Sequence, residues 1–298
     1  MRFSTFVFKV ADSCALQADV YRPADDLIRP VIVWIHGGAL IMGSRSRINP
    51  DHLDRYIDAG FAVVAIDYRL APETLLPVIA EDLQDAFAWV RNKLAKSACL
   101  DPERVAVVGH SAGGYLTLLS GCLIEPRPQA LVAFYGYGDI AGDWYSHPDE
   151  FYRQQPLVAE ADARAAVGGQ VLADADDRTS QARRSFYLWC RQQGRWPNEV
   201  VGADPHAEPG AFEPWCPVRH ATAEYPPTLL LHGDEDTDVP YAQSVQMAGA
   251  LARAGVEHEF ITIAGGGHGF ERDMADQPVV QDAVARVVAF LSRQLASN

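Results

Sequence analysis

Residues 105–119 constrain this chain more than any other stretch. Val105-Ala106-Val107-Val108 is a short apolar run, mostly β-branched, the pattern of a strand covered on both faces. It stops at Gly109-His110-Ser111-Ala112-Gly113, and Tyr115-Leu116-Thr117-Leu118-Leu119 continues in a helical register. Strand, sharp turn and helix, in that order, is the setting a Gly-x-Ser-x-Gly serine needs to stand exposed at the tip of a strained turn. Gly109 and Gly113 remove the Cβ atoms that would clash there. The hydroxyl then lies at a helix N-terminus, where free N–H groups and the dipole favour developing negative charge. The pentapeptide alone recurs in many glycine-rich loops, so its weight depends on partners elsewhere in the chain.

A second glycine loop lies upstream. The apolar run Val31-Ile32-Val33-Trp34-Ile35 reads as a buried strand and ends in His36-Gly37-Gly38-Ala39-Leu40-Ile41-Met42-Gly43-Ser44. Glycines at a strand end let backbone N–H groups turn toward a ligand, and a tetrahedral intermediate of acyl transfer needs such donors.

The remaining chain follows a strand–helix alternation. Residues 3–9 and 16–21 alternate with period two and predict an antiparallel pair at a sheet edge. Asn49 to Ala59 has helical spacing and runs into Gly60; Phe61–Ile66 is a further buried strand. In Asp67-Tyr68-Arg69-Leu70-Ala71-Pro72-Glu73 a carboxylate and a guanidinium are expected to pair behind the loops. A helix is expected over 79–94 and a strand over 130–135. From Gly136 to about Tyr225 strand-like runs stop and aromatic residues crowd in, among them Trp144, Tyr145, Tyr152, Phe186, Tyr187, Trp189 and Trp196. A structureless loop of that length is foreign to a compact domain. Helical spacing over 159–166 and 180–193 therefore predicts an inserted cap of helices, some of whose aromatics line an apolar pocket over Ser111. Regularity returns with a strand at 227–231, a helix over 241–253, a strand over 257–263 and a helix over about 279–295. The expected organisation is a core of 1–135 and 226–298 with the cap inserted at 136–225.

Two later strand ends carry titratable groups. The first is His232-Gly233-Asp234-Glu235-Asp236-Thr237-Asp238, the second Gly265-Gly266-Gly267-His268-Gly269. In an open parallel sheet, sites assemble beyond the C-terminal ends of strands. The order Ser111, acid, His268 is one of three orders known for a Ser–His–acid triad. Like charges so close cannot all be buried and ionised, so Asp236 and Asp238 compete for the acid role and Asp234 and Glu235 are expected in solvent. His36, His110 and His232 are expected to pack or anchor loops.

The chain resembles α/β-hydrolase-fold esterases. His36-Gly37-Gly38 and Tyr68-Arg69-Leu70-Ala71-Pro72-Glu73 are similar to the hormone-sensitive-lipase-like carboxylesterases. Gly109-His110-Ser111-Ala112-Gly113, His232-Gly233-x-x-Asp236 and Gly266-Gly267-His268-Gly269-Phe270 are similar to the prolyl-oligopeptidase/feruloyl-esterase-like group. The resemblance implies an α/β fold with a mostly parallel central sheet and helices on both faces. It implies Ser111 as nucleophile, His268 as general base and acid, Asp236 as the orienting acid, and no cofactor or metal. The backbone N–H groups of Gly38, Ala39 and Ala112 would form the oxyanion hole. Ala39 stands where the esterase loop usually has its third glycine, and a backbone donor survives that change if φ there is negative. The implied reaction is hydrolysis of small to medium acyl or aryl carboxylic esters, feruloyl-type esters included. A serine peptidase and a non-catalytic ligand receptor on the same scaffold are the alternatives. Substrate-binding residues are not assigned.

Composition bounds the partners. A formal net charge of −14 argues against nucleic acid and anionic membranes. Five scattered cysteines without CxxC spacing form neither a disulfide framework nor a zinc site. The N-terminus alternates instead of showing a signal-like apolar block, and no apolar stretch reaches bilayer length. A small-molecule ester as partner, no membrane insertion and a cytoplasmic location are the corresponding expectations.

Overall fold

The apolar runs at 31–35, 62–66, 105–108 and 130–134 lie side by side in the middle of one sheet, buried on both faces. Residues 1–296 are described by a computed structural model. Among them eight strands occur: β1 (Arg2–Ala11), β2 (Cys14–Arg22), β3 (Arg29–Ile35), β4 (Ala62–Ile66), β5 (Leu100–His110), β6 (Ala130–Phe134), β7 (Thr228–Gly233) and β8 (His258–Ile263). Their order is β1-β2-β4-β3-β5-β6-β7-β8. β1 pairs antiparallel with β2, and β2 antiparallel with β4; every later pairing is parallel. This is the mostly parallel α/β sheet that the sequence predicts, with the alternating pair at its edge.

Helices cover both faces because alternate strand residues point opposite ways. Val33, Ile35, Val64, Ile66, Val105 and Val107 share one core with α2 (Leu76–Trp89), whereas Ile32, Trp34, Val63, Ala65, Ala106 and Val108 share the other with α1 (Pro50–Asp58). The first face also takes α3 (Ala112–Leu123), α4 (Asp177–Gln193) and α5 (Ala242–Ala254); the second takes α6 (Pro278–Gln294). Asn49 caps α1, accepting from Asp51 N at 2.9 Å, and the chain turns at Gly60 with φ +90°. No helix among the described residues is long and apolar enough to cross a membrane.

Residues 136–225 contain helices and turns and no strand among the described residues. Their large aromatics Tyr145, Phe186, Trp196 and Phe212 are fully buried and belong to the same core cluster as α2 and α3. The segment is therefore packed as part of that core face.

One expectation is corrected. The charged residues after β4 do not pair with one another. Arg69 forks onto Asp82 of α2 through Nε and Nη2, both at 2.7 Å, and reaches Asp12. Asp67 takes Arg45 at 2.6 Å, and Glu73 takes Arg183 of α4 at 2.7 and 2.9 Å. Each ion finds a partner on a different element, which lets one short loop tie together the edge turn, α2 and α4.

Candidate active site

Ser111 is the one residue between β5 and α3, with φ +55° and ψ −120°. A non-glycine residue in the left-handed half of backbone space costs on the order of 1–3 kcal/mol and persists only where its surroundings over-determine it. The neighbours do so here. A Cβ on Gly113 would lie 2.1 Å from the Ile35 carbonyl oxygen, and one on Gly109 would lie 2.2 Å from the Gly113 carbonyl oxygen. Strand, turn and helix can approach this closely only with glycine at both places. The Ser111 N–H donates to Phe134 O at 2.9 Å, which ties the turn to the end of β6.

His268 comes from the loop after β8, between Gly265 (φ +70°) and Gly269 (φ +86°). Its Nε2 is 3.0 Å from Ser111 Oγ, and its Nδ1 is 2.8 Å from Asp236 Oδ2. With the proton on Nδ1 the ring donates to Asp236 and accepts from the serine hydroxyl. Asp236, in the loop after β7 with its side chain fully buried, accepts from the backbone N–H groups of Asp238 and Val239 at 2.8 and 2.9 Å through Oδ1. His232 Nε2 lies 3.3 Å from Oδ2, and its Nδ1 is 2.7 Å from Ser244 Oγ. Burial works against the Asp236 charge, but hydrogen bonds from His232 and His268 outweigh it and hold the carboxyl well below the usual carboxylate range. For His268, burial lowers the pKa, and Asp238, Asp236 and Glu271 together raise it above 6.5.

Of the competing acids, Asp236 meets Nδ1, while Asp238 lies on the opposite side of the ring, Oδ2 3.4 Å from Nε2. Asp234 and Glu235 are exposed. His110 stacks on Phe134 and His36 on Tyr68, with ring centroids 4.3 and 4.2 Å apart. Burial pushes His110 down to about 3 and His36 down to about 4, so both are neutral packing groups at ordinary pH.

The loop after β3 turns through Gly38 (φ +113°), Ala39 (φ +56°) and Leu40 (φ +62°). The negative φ posed as the condition for a donor at Ala39 is thus not what the loop adopts. The Gly38 carbonyl accepts from Ile41 N and Met42 N, both at 2.9 Å, and closing that turn carries Ala39 into the left-handed region. The N–H groups of Gly38, Ala39 and Ala112 donate to no other group among the described residues. Gly38, Ala39, Ser111, His268 and Asp238 line one cavity of about 630 Å³. Tyr152, Tyr187 and Leu188 close it from the segment between β6 and β7.

The model of the BD-FAE family matches residues 18–251 of this chain, and that of the dienelactone hydrolase family matches residues 212–295. The chain belongs to the BD-FAE family. Among curated relatives of this BD-FAE protein, the non-reducing polyketide synthase ausA of Aspergillus calidoustus is 32% identical over 94% of the chain. The match spans 14% of that synthase, and the chain covers a similarly small share of the next relative, 12%. An α/β hydrolase superfamily protein from Enterococcus faecalis superposes with a TM-score of 0.77 at 22% identity, covering 98% of this chain and 99% of the other. The propionate-bound esterase Est2 of Thermogutta terrifontis superposes with a TM-score of 0.70 at 22% identity, covering 99% and 96%. The fold of this BD-FAE protein is the α/β-hydrolase fold.

Sequence reasoning left the pocket residues unassigned and missed Arg191, which donates to Asp238 alongside the hydroxyls of Tyr152 and Tyr187. One signal was available. Tyr187 and Arg191 are four residues apart on a helix and so share a face.

Proposed function

We propose that this protein is a serine carboxylic-ester hydrolase acting through Ser111, His268 and Asp236 on esters of small to medium acyl or aryl groups. The observation that carries the proposal is the unbroken line from Ser111 Oγ through the two ring nitrogens of His268 to Asp236, opening into the cavity. In this reading Ser111 Oγ attacks the ester carbonyl as His268 Nε2 takes its proton. The N–H groups of Gly38, Ala39 and Ala112 stabilise the oxyanion. The alcohol leaves with the proton from Nε2, and water repeats the cycle on the acyl-enzyme. Asp236 keeps the proton of the resting ring on Nδ1, so that Nε2 is a lone pair when the serine needs a base.

Residues 136–225 act as a cap in this proposal, because Tyr152, Tyr187 and Leu188 bound the space left for the acyl or alcohol group. A propionate-bound esterase with the same fold supports short acyl groups. The test is hydrolysis of 4-nitrophenyl esters from acetate to laurate, with methyl ferulate alongside. Ser111→Ala is expected to lower kcat/KM on the preferred ester by roughly 10⁴- to 10⁶-fold. Equal rates for wild type and Ser111→Ala would refute the proposal.

A further inference from the structure

Asp238 has no part in the cycle above, yet it sits in a network of its own. Its Oδ1 accepts from Tyr152 OH at 2.8 Å, from Tyr187 OH, and from Arg191 Nη1 at 2.8 Å. Arg191 is 1% exposed, its Nη2 donates to Asp149 Oδ2 at 2.6 Å, and its guanidinium carbon lies 4.6 Å from the Tyr152 ring centroid. All three donors come from residues 136–225 and occupy one oxygen. The other oxygen, Oδ2, faces His268 Nε2 at 3.4 Å, the nitrogen that stands 3.0 Å from Ser111 Oγ. Because the Asp238 N–H donates to Asp236 Oδ1, the two carboxylates belong to one turn and flank the two nitrogens of one ring.

We propose that Asp238 is a positioning residue for His268, favouring its charged form as the tetrahedral intermediate forms, and that Arg191, Tyr152 and Tyr187 fix Asp238 in that role. The inference rests on the roles given above to Ser111 and His268. With its proton on Nδ1, neutral His268 presents a lone pair at Nε2 to a carboxylate oxygen, an unfavourable pairing. When the Ser111 proton moves to Nε2, the same oxygen becomes an acceptor and the imidazolium lies between two carboxylates. The attraction therefore grows along the reaction coordinate, which is the condition for accelerating a step.

The other groups facing His268 are the Glu271 carboxylate, the Tyr135 ring at 4.5 Å and the neutral His110. The direction of the His268 pKa agrees with the geometry, since Asp238 is the largest of the influences that raise it against burial. The cap thus reaches the base through Asp238 as well as bounding the pocket.

The test is Asp238→Asn, which keeps an acceptor for the two hydroxyls and the guanidinium and removes the charge. Two readouts are needed on the full chain: titration of the His268 ring nitrogens by ¹⁵N NMR, and kcat/KM against pH with a 4-nitrophenyl ester. In wild type, activity is expected to fall as pH drops through a His268 midpoint raised above the ordinary histidine value. In Asp238→Asn that midpoint moves down by about one pH unit, and the alkaline plateau of kcat/KM falls about tenfold with KM little changed. Asp238→Glu restores part of the upward shift. A His268 midpoint in Asp238→Asn equal to that of wild type overturns the proposal. If the Asn variant does not fold, Tyr187→Phe decides the matter: it loosens Oδ1, and a midpoint that does not fall overturns the proposal equally. The NMR titration needs no turnover, so Ser111-independent hydrolysis would defeat the esterase assignment while the effect of Asp238 on His268 is still read.

Discussion

Two regions meet at Ser111 and are held in place by different physics. The loops at the ends of β3, β5, β7 and β8 are fixed by backbone sterics. Gly109 and Gly113 have no room for a Cβ, and one added at Gly233 would lie 2.0 Å from the Gly266 carbonyl oxygen. The segment 136–225 is fixed by side chains reaching across it. Arg183 donates to Ile41 O at 2.6 Å, to Ala71 O and to both oxygens of Glu73, while Trp196 Nε1 donates to Ala39 O at 2.9 Å. Residues 136–225 therefore grip the carbonyls of the very loop whose N–H groups are proposed to hold the oxyanion. Serine, histidine and Asp236 can keep their geometry through local chain constraints, whereas the pocket around them depends on a few buried guanidinium groups staying paired.

The sharpest way to break this contrast is to remove one of those groups. Arg183 and Glu73 have side chains 2% and 5% exposed. Removing one partner of a buried pair typically costs about 3–5 kcal/mol, because the other charge is left uncompensated. Arg183→Met is expected to destabilise the protein by that amount, lowering Tm by on the order of 10 °C, as read by thermal and denaturant unfolding. Adding Glu73→Leu should recover most of the loss, since replacing both charges by apolar groups is often neutral. A double variant as unstable as the single one would show that Arg183 acts through the Ile41 and Ala71 carbonyls and not through its ion pair.

The opposite test strikes the backbone-held region. A methyl at Gly113 would sit 2.1 Å from Ile35 O and 2.6 Å from His36 O, so β3, the turn or α3 must shift. A displacement of about 1 Å at a reacting group can cost roughly 10²-fold in rate. Gly113→Ala is expected to lower kcat/KM by at least about that factor, with the loss mainly in kcat. An unchanged kcat would mean that the elbow is more deformable than its contacts indicate.

The same contrast explains what could be read from the sequence. The central strands were legible because burial on both faces leaves continuous apolar runs such as Val105–Val108 and Leu229–Leu231. Ser111 and His268 stood out because each lies just past a strand, where glycine marks a turn, and the family resemblance singled out Asp236 over Asp238 in the loop after β7; the structure brings the three side chains together. What was not legible rests on partners far apart in the chain: Arg191 with Asp238 across 47 residues, and Arg183 with Glu73 across 110. Spacing rules link residues three or four apart on a helix and are silent on such pairs. For the same reason the charges at Asp67, Arg69 and Glu73 were expected to pair locally and instead pair elsewhere. The left-handed φ at Ala39 was not legible because alanine does not advertise a left-handed residue as glycine does.

Ala39 gives the smallest expected effect and lies where the two regions touch. Its φ of +56° costs an alanine about 1–2 kcal/mol relative to glycine. Against that gain, glycine widens the unfolded ensemble by about 0.4–1 kcal/mol. Ala39 is also only 6% exposed within the core cluster, and losing a buried methyl costs about 0.8 kcal/mol. The terms nearly cancel, so Ala39→Gly should change stability by less than about 1 kcal/mol in either direction. If position 39 contributes only its N–H, kcat/KM should also stay within a few-fold of wild type, because Trp196 still holds the Ala39 carbonyl in place. A tenfold or greater fall with stability unchanged would show that the methyl itself shapes the cavity wall, and that the grip of residues 136–225 on this loop is not enough to set the donor geometry.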